Sequence, residues 1–184
     1  MRNTKMALES YNPKAEDILL FDTNILIKLL YPVDFNGSVE KYAELYSQIK
    51  RVRARLIVSS IQISEFINRC IRLQFALYQE KSSVKLDFKK DYRSTDDYRD
   101  SMNTILDIVT SDIKLNFAFI DDGFSKMQQE DIFKYGFSYD FNDSLLVEIA
   151  KLYNAIVVTD DIDFGNYKAD FRIITSNQWL LAFK

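Results

Sequence analysis

The chain has 184 residues, of which 24 are basic and 27 acidic; it has no histidine and a single cysteine. That length suits one domain with a sizeable core, and a net charge of −3 argues neither for nor against a nucleic-acid partner. The missing histidine excludes Ser-His and Cys-His catalysis and histidine-ligated zinc, and the lone Cys70 excludes an internal disulfide and a cysteine-built zinc site.

Hydrophobic residues make up 47% of the chain, and its 14 Phe and 11 Tyr outnumber 4 Gly and 2 Pro, which favours long elements joined by short loops. The apolar runs are far too short for a membrane span and no charged-then-apolar leader opens the sequence, so a cytoplasmic protein without a membrane partner is expected.

Residues 1–16 are polar and without period, and predict a loosely packed tail. Ile18 to Phe21 is a continuous apolar run, hence a buried strand, and Asp22 ends it. Thr23 and Asn24 can cap a helix bearing Ile25, Leu26, Leu29 and Leu30, closed by Pro32. Gly37 and Ser38 begin a second helix, with Tyr42, Leu45, Ile49 and Val52 at helical spacing. Lys50, Arg51, Arg53 and Arg55 crowd its end. They complement the helix dipole on one reading and contact phosphate on another.

Leu56 to Val58 is the second buried strand, and Ser59 and Ser60 offer a helix start. The helix continues through Phe66, Cys70, Ile71 and Tyr78, with Glu65 near its first turn and Cys70 expected as a buried, inert thiol. Residues 79–97 are charged and aperiodic, and predict an insertion or helix extension within a single domain spanning 1–184. Such a run usually forms a solvated face; the alternative is that Lys89 and Lys90, with Phe88 and Tyr92 interleaved, follow a nucleic-acid backbone. An amphipathic helix carrying Tyr98, Met102, Ile105, Leu106, Val109 and Ile113 comes next. Phe117 to Ile120 is a third strand ended by Asp121 and Asp122, Gly123 to Phe133 a further helix, and Tyr135 to Phe137 a turn.

Asp143 then opens a helix with Leu146, Ile149, Ala150 and Tyr153 at helical spacing, placing an acid at the positive end of the dipole. Asn154 stops it, and Ala155 to Val158 is a fourth strand ending in Thr159, Asp160, Asp161 and, two residues on, Asp163. Gly165 to Asp170 is loop, Phe171 to Ile174 a last strand, and Ser176 can cap a terminal helix. Strands alternating with helices predict an α/β fold with a mostly parallel sheet covered on both faces.

Parallel strands point one way, so Asp22, Glu65, Asp143 and Asp161 can converge at one sheet edge. Packing carboxylates together is opposed by like-charge repulsion, which a divalent cation relieves; oxygen donors suit Mg²⁺ or Mn²⁺. Taken singly, Glu65 and Asp140 are better read as capping acids. The set is what points to a metal.

Four segments carry a family resemblance. Phe21-Asp22-Thr23-Asn24-Ile25-Leu26 resembles the opening of a PIN domain, the metal-dependent nuclease fold of VapC-type toxins. Ser60 to Glu65 is similar to that family's Glu-bearing segment, Asn142 to Leu146 with Ala150 to its third acidic motif, and Val157 to Phe164 to its fourth. The resemblance, spanning Leu20 to about Leu181, implies a three-layer α/β/α sandwich that cleaves RNA with Mg²⁺ or Mn²⁺. By position it makes Asp22, Glu65, Asp143 and Asp161 the catalytic metal ligands and Asp163 an auxiliary one, with Thr23, Asn24 and Thr159 orienting them. It further implies an RNA substrate, an antitoxin protein partner and a homodimer. Residues 79–97 and the long helix after them make this chain larger than the compact toxins.

Two other classes stand beside this reading. A non-catalytic PIN-fold module binding RNA or protein would lack one of the four acids, and none is lost. A phosphatase of the haloacid dehalogenase type would need a second acid two places after Asp22, where Asn24 stands.

Overall fold

A computed structural model describes residues 3–31, 39–133 and 140–183. Six strands form one sheet: β1 (Thr4–Ala7), β2 (Ile18–Phe21), β3 (Arg55–Ser59), β4 (Ala118–Ile120), β5 (Ile156–Val158) and β6 (Arg172–Thr175). They lie in the order β1-β6-β5-β2-β3-β4, and every pairing is parallel. Short continuous apolar runs become central strands because both faces of a parallel sheet are covered.

The two faces divide the side chains with period two. Leu19, Phe21, Leu56, Val58, Ile156, Val158 and Ile174 enter one core, and Leu20, Ile57, Val157 and Ile173 the other. Helices α1 (Thr23–Leu30), α2 (Val39–Val52), α3 (Ser60–Glu80) and α4 (Asp96–Ile108) pack on the first face. A short α5 (Lys114–Asn116) leads into β4, while α6 (Gln129–Phe133), α7 (Phe141–Leu152) and α8 (Gln178–Ala182) supply the second face. The expected three-layer α/β/α sandwich is the fold found. Each fully buried Leu, Ile or Phe in these layers contributes about 1.5–3 kcal/mol of apolar burial.

The chain leaves β2 toward β3 and β4, then crosses to β5 and β6 on the other side of β2. That reversal opens a crevice at the C-terminal ends of β2 and β5, the usual position of a ligand site in such sheets. The backbone fixes the junction: Asp22 N–H donates to Val158 C=O at 2.9 Å, and Thr159 N–H to Ile174 C=O at 3.1 Å. Ser59 N–H donates to Gln62 Oε1 at 3.0 Å, and Gln62 Nε2 in turn donates to Phe21 C=O, tying the start of α3 to the end of β2. Asn154 stops α7 as expected, adopting φ 50° while Ala155 N–H reaches back to Ala150 C=O at 2.8 Å.

Several expectations are corrected. Residues 1–16 are no loose tail: β1 pairs with β6 from Thr4↔Arg172 to Ala7↔Thr175, and Asn3 is buried. An edge strand covered only in part carries no continuous apolar run, so its pattern is weak. The segment 79–97 begins as the last turn of α3, and its Phe88–Tyr92 turn has π-helical bonding. Phe88 and Tyr92 are core, packed against Phe75, Tyr78 and Tyr98 with ring centroids 5.0–6.3 Å apart. They cannot stack on bases.

Gly123 to Phe133 is not one helix, because Gly123 takes φ +68° and a short 3-10 turn precedes α6. The helix after Tyr98 passes through a π-helical turn at Val109–Ile113, and Leu106 faces outward. Helix α1 starts at Thr23 with Asp22 in the cap position, Asn177 rather than Ser176 caps α8, and Glu65 falls in the second turn of α3 instead of capping it; Asp140 caps α7 as expected, with Asp143 in its first turn. Pro32, Gly37, Ser38 and the turn Tyr135 to Phe137 lie outside the described residues. Cys70 is buried, and burial pushes its thiol up to about 12. Among the described residues no helix is long and apolar enough to cross a membrane.

Asn3 holds the start of β1 by donating to Phe164 C=O at 3.1 Å and Tyr167 C=O at 2.9 Å. Asn3→Ala is expected to lower stability by about 1–3 kcal/mol in chemical denaturation. A loss within about 0.5 kcal/mol, the range for an unstructured surface position, would restore the tail reading.

Candidate active site

The crevice gathers acids from several elements. Asp22 follows β2, Glu65 lies on α3, Asp143 occupies the first turn of α7, and Asp161 begins the 3-10 turn Ile162–Asn166 after β5. Asp22 is only 4% exposed. Its Oδ2 accepts from the Thr159 hydroxyl at 2.8 Å and Asn24 Nδ2 at 3.3 Å. The Thr159 hydroxyl also accepts from Asp161 N–H at 2.9 Å, so one side chain positions both acids. Asp161 Oδ1 accepts from Asp163 N–H at 2.9 Å. Glu65 Oε2 accepts from the Thr23 hydroxyl at 3.0 Å and Asn142 Nδ2 at 3.4 Å, and Oε1 from Arg69 at 3.3 Å. Among the described residues, Oδ1 of Asp22 and Oδ2 of Asp161 have no hydrogen-bond partner.

The acids feel one another. Burial, opposed by the Thr159 hydrogen bond and reinforced by Glu65 and Asp161, pushes Asp22 up to about 6. Burial together with Asp22, Asp161, Asp140 and Glu65 pushes Asp143 up to about 8. The helix dipole at α7 works the other way, but at about 0.3–1 kcal/mol it is worth less than a change of one in pKa, about 1.4 kcal/mol. Burial and, more weakly, Asp161 raise Asp163 as well.

Asp160 has another fate. Burial would raise its pKa, but hydrogen bonds from Lys28, at 2.8 Å, and the Tyr42 hydroxyl hold it below the usual carboxylate range. Ser176 and Thr175 hydroxyls add contacts at 3.1 and 3.3 Å. It cross-links β5, α1, α2 and the end of β6. Asp140, whose carboxylate accepts from Asn142 N–H at 2.9 Å, is a cap.

Among the described residues, no three acids stand close enough to form a ligand cluster unaided. The donor set nonetheless fits a hard divalent cation: carboxylate oxygens only, two of them carrying raised pKa values through burial and mutual repulsion. Asn24 donates to Asp22, as an orienting residue does, and is no second acid.

The basic residues singled out by sequence fall elsewhere. Lys50, Arg51 and Arg53 lie where α2 ends and β3 begins, at the N-terminal edge of the sheet, opposite the acids. Lys89 and Lys90 sit on the turn capped by Asp87, donating their backbone N–H groups to its Oδ1 at 2.8 Å. Sequence reasoning missed the cations that do flank the crevice. A groove of about 510 Å³ is lined by Asn24, Ile27, Lys28, Arg69, Arg72 and Leu73, together with Asp160 and Asp161. The signal was present: Arg69 and Arg72 stand four and seven residues after Glu65, on one stripe of a helix.

A parallel α/β/α sandwich with carboxylates gathered at its switch point is the class of protein defined here. The sequence matches the PIN domain family over residues 19–170, and the chain belongs to that family, one of nucleases that generally use divalent metal ions. Among solved structures it is similar to VapBC2 from Rickettsia felis bound to a DNA fragment from their promoter, with a TM-score of 0.50 and 18% identity over 85% of this chain and 98% of that one. At that identity the likeness bears on the fold. Comparison with curated proteins gave no match.

Both raised pKa values mean that the folded protein holds these protons more tightly than the unfolded chain. This stabilisation is complete below the ordinary value of 3.8 and is lost as pH rises through about 6 for Asp22 and about 8 for Asp143. Metal-free protein is therefore expected to melt lower at pH 8 than at pH 5 by calorimetry. Asp143→Asn should remove most of that difference, adding about 1–3 kcal/mol at pH 8 after allowance for partial exposure. Equal melting of the wild type at both pH values would contradict this account. Mn²⁺ uptake near pH 7 should release protons, seen as a buffer-dependent heat in titration calorimetry.

Proposed function

We propose that the protein is a metal-dependent endoribonuclease, hydrolysing RNA phosphodiester bonds, and the toxin of a toxin–antitoxin pair. The observation that carries this reading is the convergence of Asp22, Glu65, Asp143 and Asp161 on one crevice, where burial and mutual repulsion hold Asp22 and Asp143 above the ordinary carboxylate range. Family membership supports the nuclease, and the similar Rickettsia felis VapBC2 assembly supports an antitoxin protein as partner. In this reading the whole chain acts as one cytoplasmic domain, extended at 79–97 and able to pair as a homodimer.

Asp22, Glu65, Asp143 and Asp161 would hold Mg²⁺ or Mn²⁺, with Asp163 as an auxiliary ligand. A bound ion supplies an activated water and stabilises charge on the leaving oxygen. The chain's own residues do the positioning. Thr159 fixes the Asp22 carboxylate through its hydroxyl proton and the Asp161 backbone through its lone pair. Thr23 and Asn142 hold Glu65 Oε2, and the Asp163 N–H holds Asp161 Oδ1. Asp143, pushed up to about 8 in the metal-free protein, would have to be ionised to hold the ion.

Purified protein is expected to cut RNA with Mg²⁺ or Mn²⁺ and to stop when the ion is chelated. Asp22→Asn or Asp143→Asn should each cost more than about 100-fold, and Thr159→Val about 10–100-fold, the range for a residue that orients a ligand. Expression in cells should arrest growth, and Asp143→Asn should relieve the arrest. RNA left intact by the wild type with both metals would sink the proposal.

A further inference from the structure

The groove beside the acids has a charge pattern that the metal site does not require. Glu65, Arg69 and Arg72 run along one stripe of α3, and a rise of 1.5 Å per residue puts Arg69 about 6 Å and Arg72 about 10 Å along the axis from Glu65. The carboxylates lining the groove are already committed, Asp160 to Lys28 and Tyr42, and Asp161 to the acidic crevice. Among the described residues Arg72 makes no ion pair. Its guanidinium lies 3.8 Å from the centre of the buried Phe88 ring, and Arg93 lies over the same ring at 5.4 Å. A stacked guanidinium keeps its in-plane N–H donors available and loses little entropy on binding a phosphate. Arg69 has an exposed bridge to Glu65 at 3.3 Å, a class of contact worth little.

We infer that this groove carries the sugar–phosphate backbone of single-stranded RNA to one flank of the acidic crevice, with Arg72 and Arg69 as its phosphate-binding residues. The inference rests on the endoribonuclease reading. Charge complementarity selects the occupant: Arg72, with no ion pair among the described residues, and Arg69, with only its weak bridge to Glu65, suit a polyanion, and Asn24 and Asp161 line both groove and crevice. Ile27 and Leu73 give the channel an apolar wall, which strengthens a cation–phosphate contact by excluding water. A volume of about 510 Å³ falls in the range of a small-molecule cleft. Phe88 thus has a function after all, as the support of Arg72.

The test is fluorescence anisotropy with a labelled single-stranded oligoribonucleotide, in chelator so that nothing is cut, over a series of salt concentrations. Removing one phosphate-binding cation should make the slope of log affinity against log salt shallower by about 0.7. Arg72→Gln should show one such step, and Arg69→Gln with Arg72→Gln about two, with affinity down roughly tenfold. In the metal-loaded protein Arg72→Gln should raise KM by a similar factor while kcat stays within about twofold, since Arg72 touches none of the acids; Arg69, which also donates to Glu65, is read by binding alone. Arg53→Gln with Arg55→Gln, at the opposite edge of the sheet, should change neither slope nor KM. An unchanged slope in the groove variants, or an equal loss in the opposite-edge variant, overturns the inference and leaves the nuclease reading standing. If the groove variants bind RNA normally but lose a co-expressed partner protein, the groove docks protein and the inference is wrong. Wild-type protein that neither binds nor cuts RNA overturns both readings.

Discussion

The hydrogen bond from the Thr159 hydroxyl to Asp22, buried and 2.8 Å long, is the contact on which the crevice depends. It joins residues 137 positions apart, brought together because the chain crosses over β2 between β4 and β5. A hydrogen bond to a charged group contributes about 1.5–3 kcal/mol, and here it offsets part of the cost of taking a carboxylate out of water. Only part is offset, since Asp22 still sits at about 6. The same hydroxyl accepts from Asp161 N–H, so a single threonine holds two acids in register.

The rest of the crevice is a set of positioning contacts around a repulsion that they do not relieve. Glu65 is held by Thr23, Asn142 and Arg69; Asp161 by the Asp163 backbone. Among the described residues nothing of comparable strength relieves Asp143, and its carboxyl is pushed up to about 8. The neighbours Asp160 and Asp161 make the contrast plain. Consecutive residues at the end of β5 point to different partners, so one becomes a half-buried, cation-matched cross-link and the other part of the acid set.

The central strands were legible because continuous apolar runs ending in acids carry their own punctuation. Asp22, Asp143 and Asp161 were legible for the same reason, each sitting at an element boundary. Legibility failed where burial is partial or where a side chain's partner is distant in sequence. β1 was hidden by its edge position, with mostly half-covered side chains. Phe88 and Tyr92 looked like exposed aromatics among lysines because a π-helical turn breaks the spacing that would mark them as core. Gly123 broke an apparently helical run through a positive φ. The basic residues at the end of α2 gave a clear charge signal that says nothing of which sheet edge they occupy.

Taken alone, the sequence determined the fold class, the five strands after β1 and which donor types the chain can offer. Those follow from residue type and local period: no histidine, one buried cysteine, apolar runs, and acids at strand ends. Tertiary structure decided which acids share a crevice and which are consumed elsewhere, and it set the cations at the end of α2 at the opposite sheet edge while bringing Lys28, Arg69 and Arg72 beside Asp161. The reason is geometric. Parallel register and the crossover at β2 fix which strand ends are neighbours, and no property of a single segment encodes its neighbour.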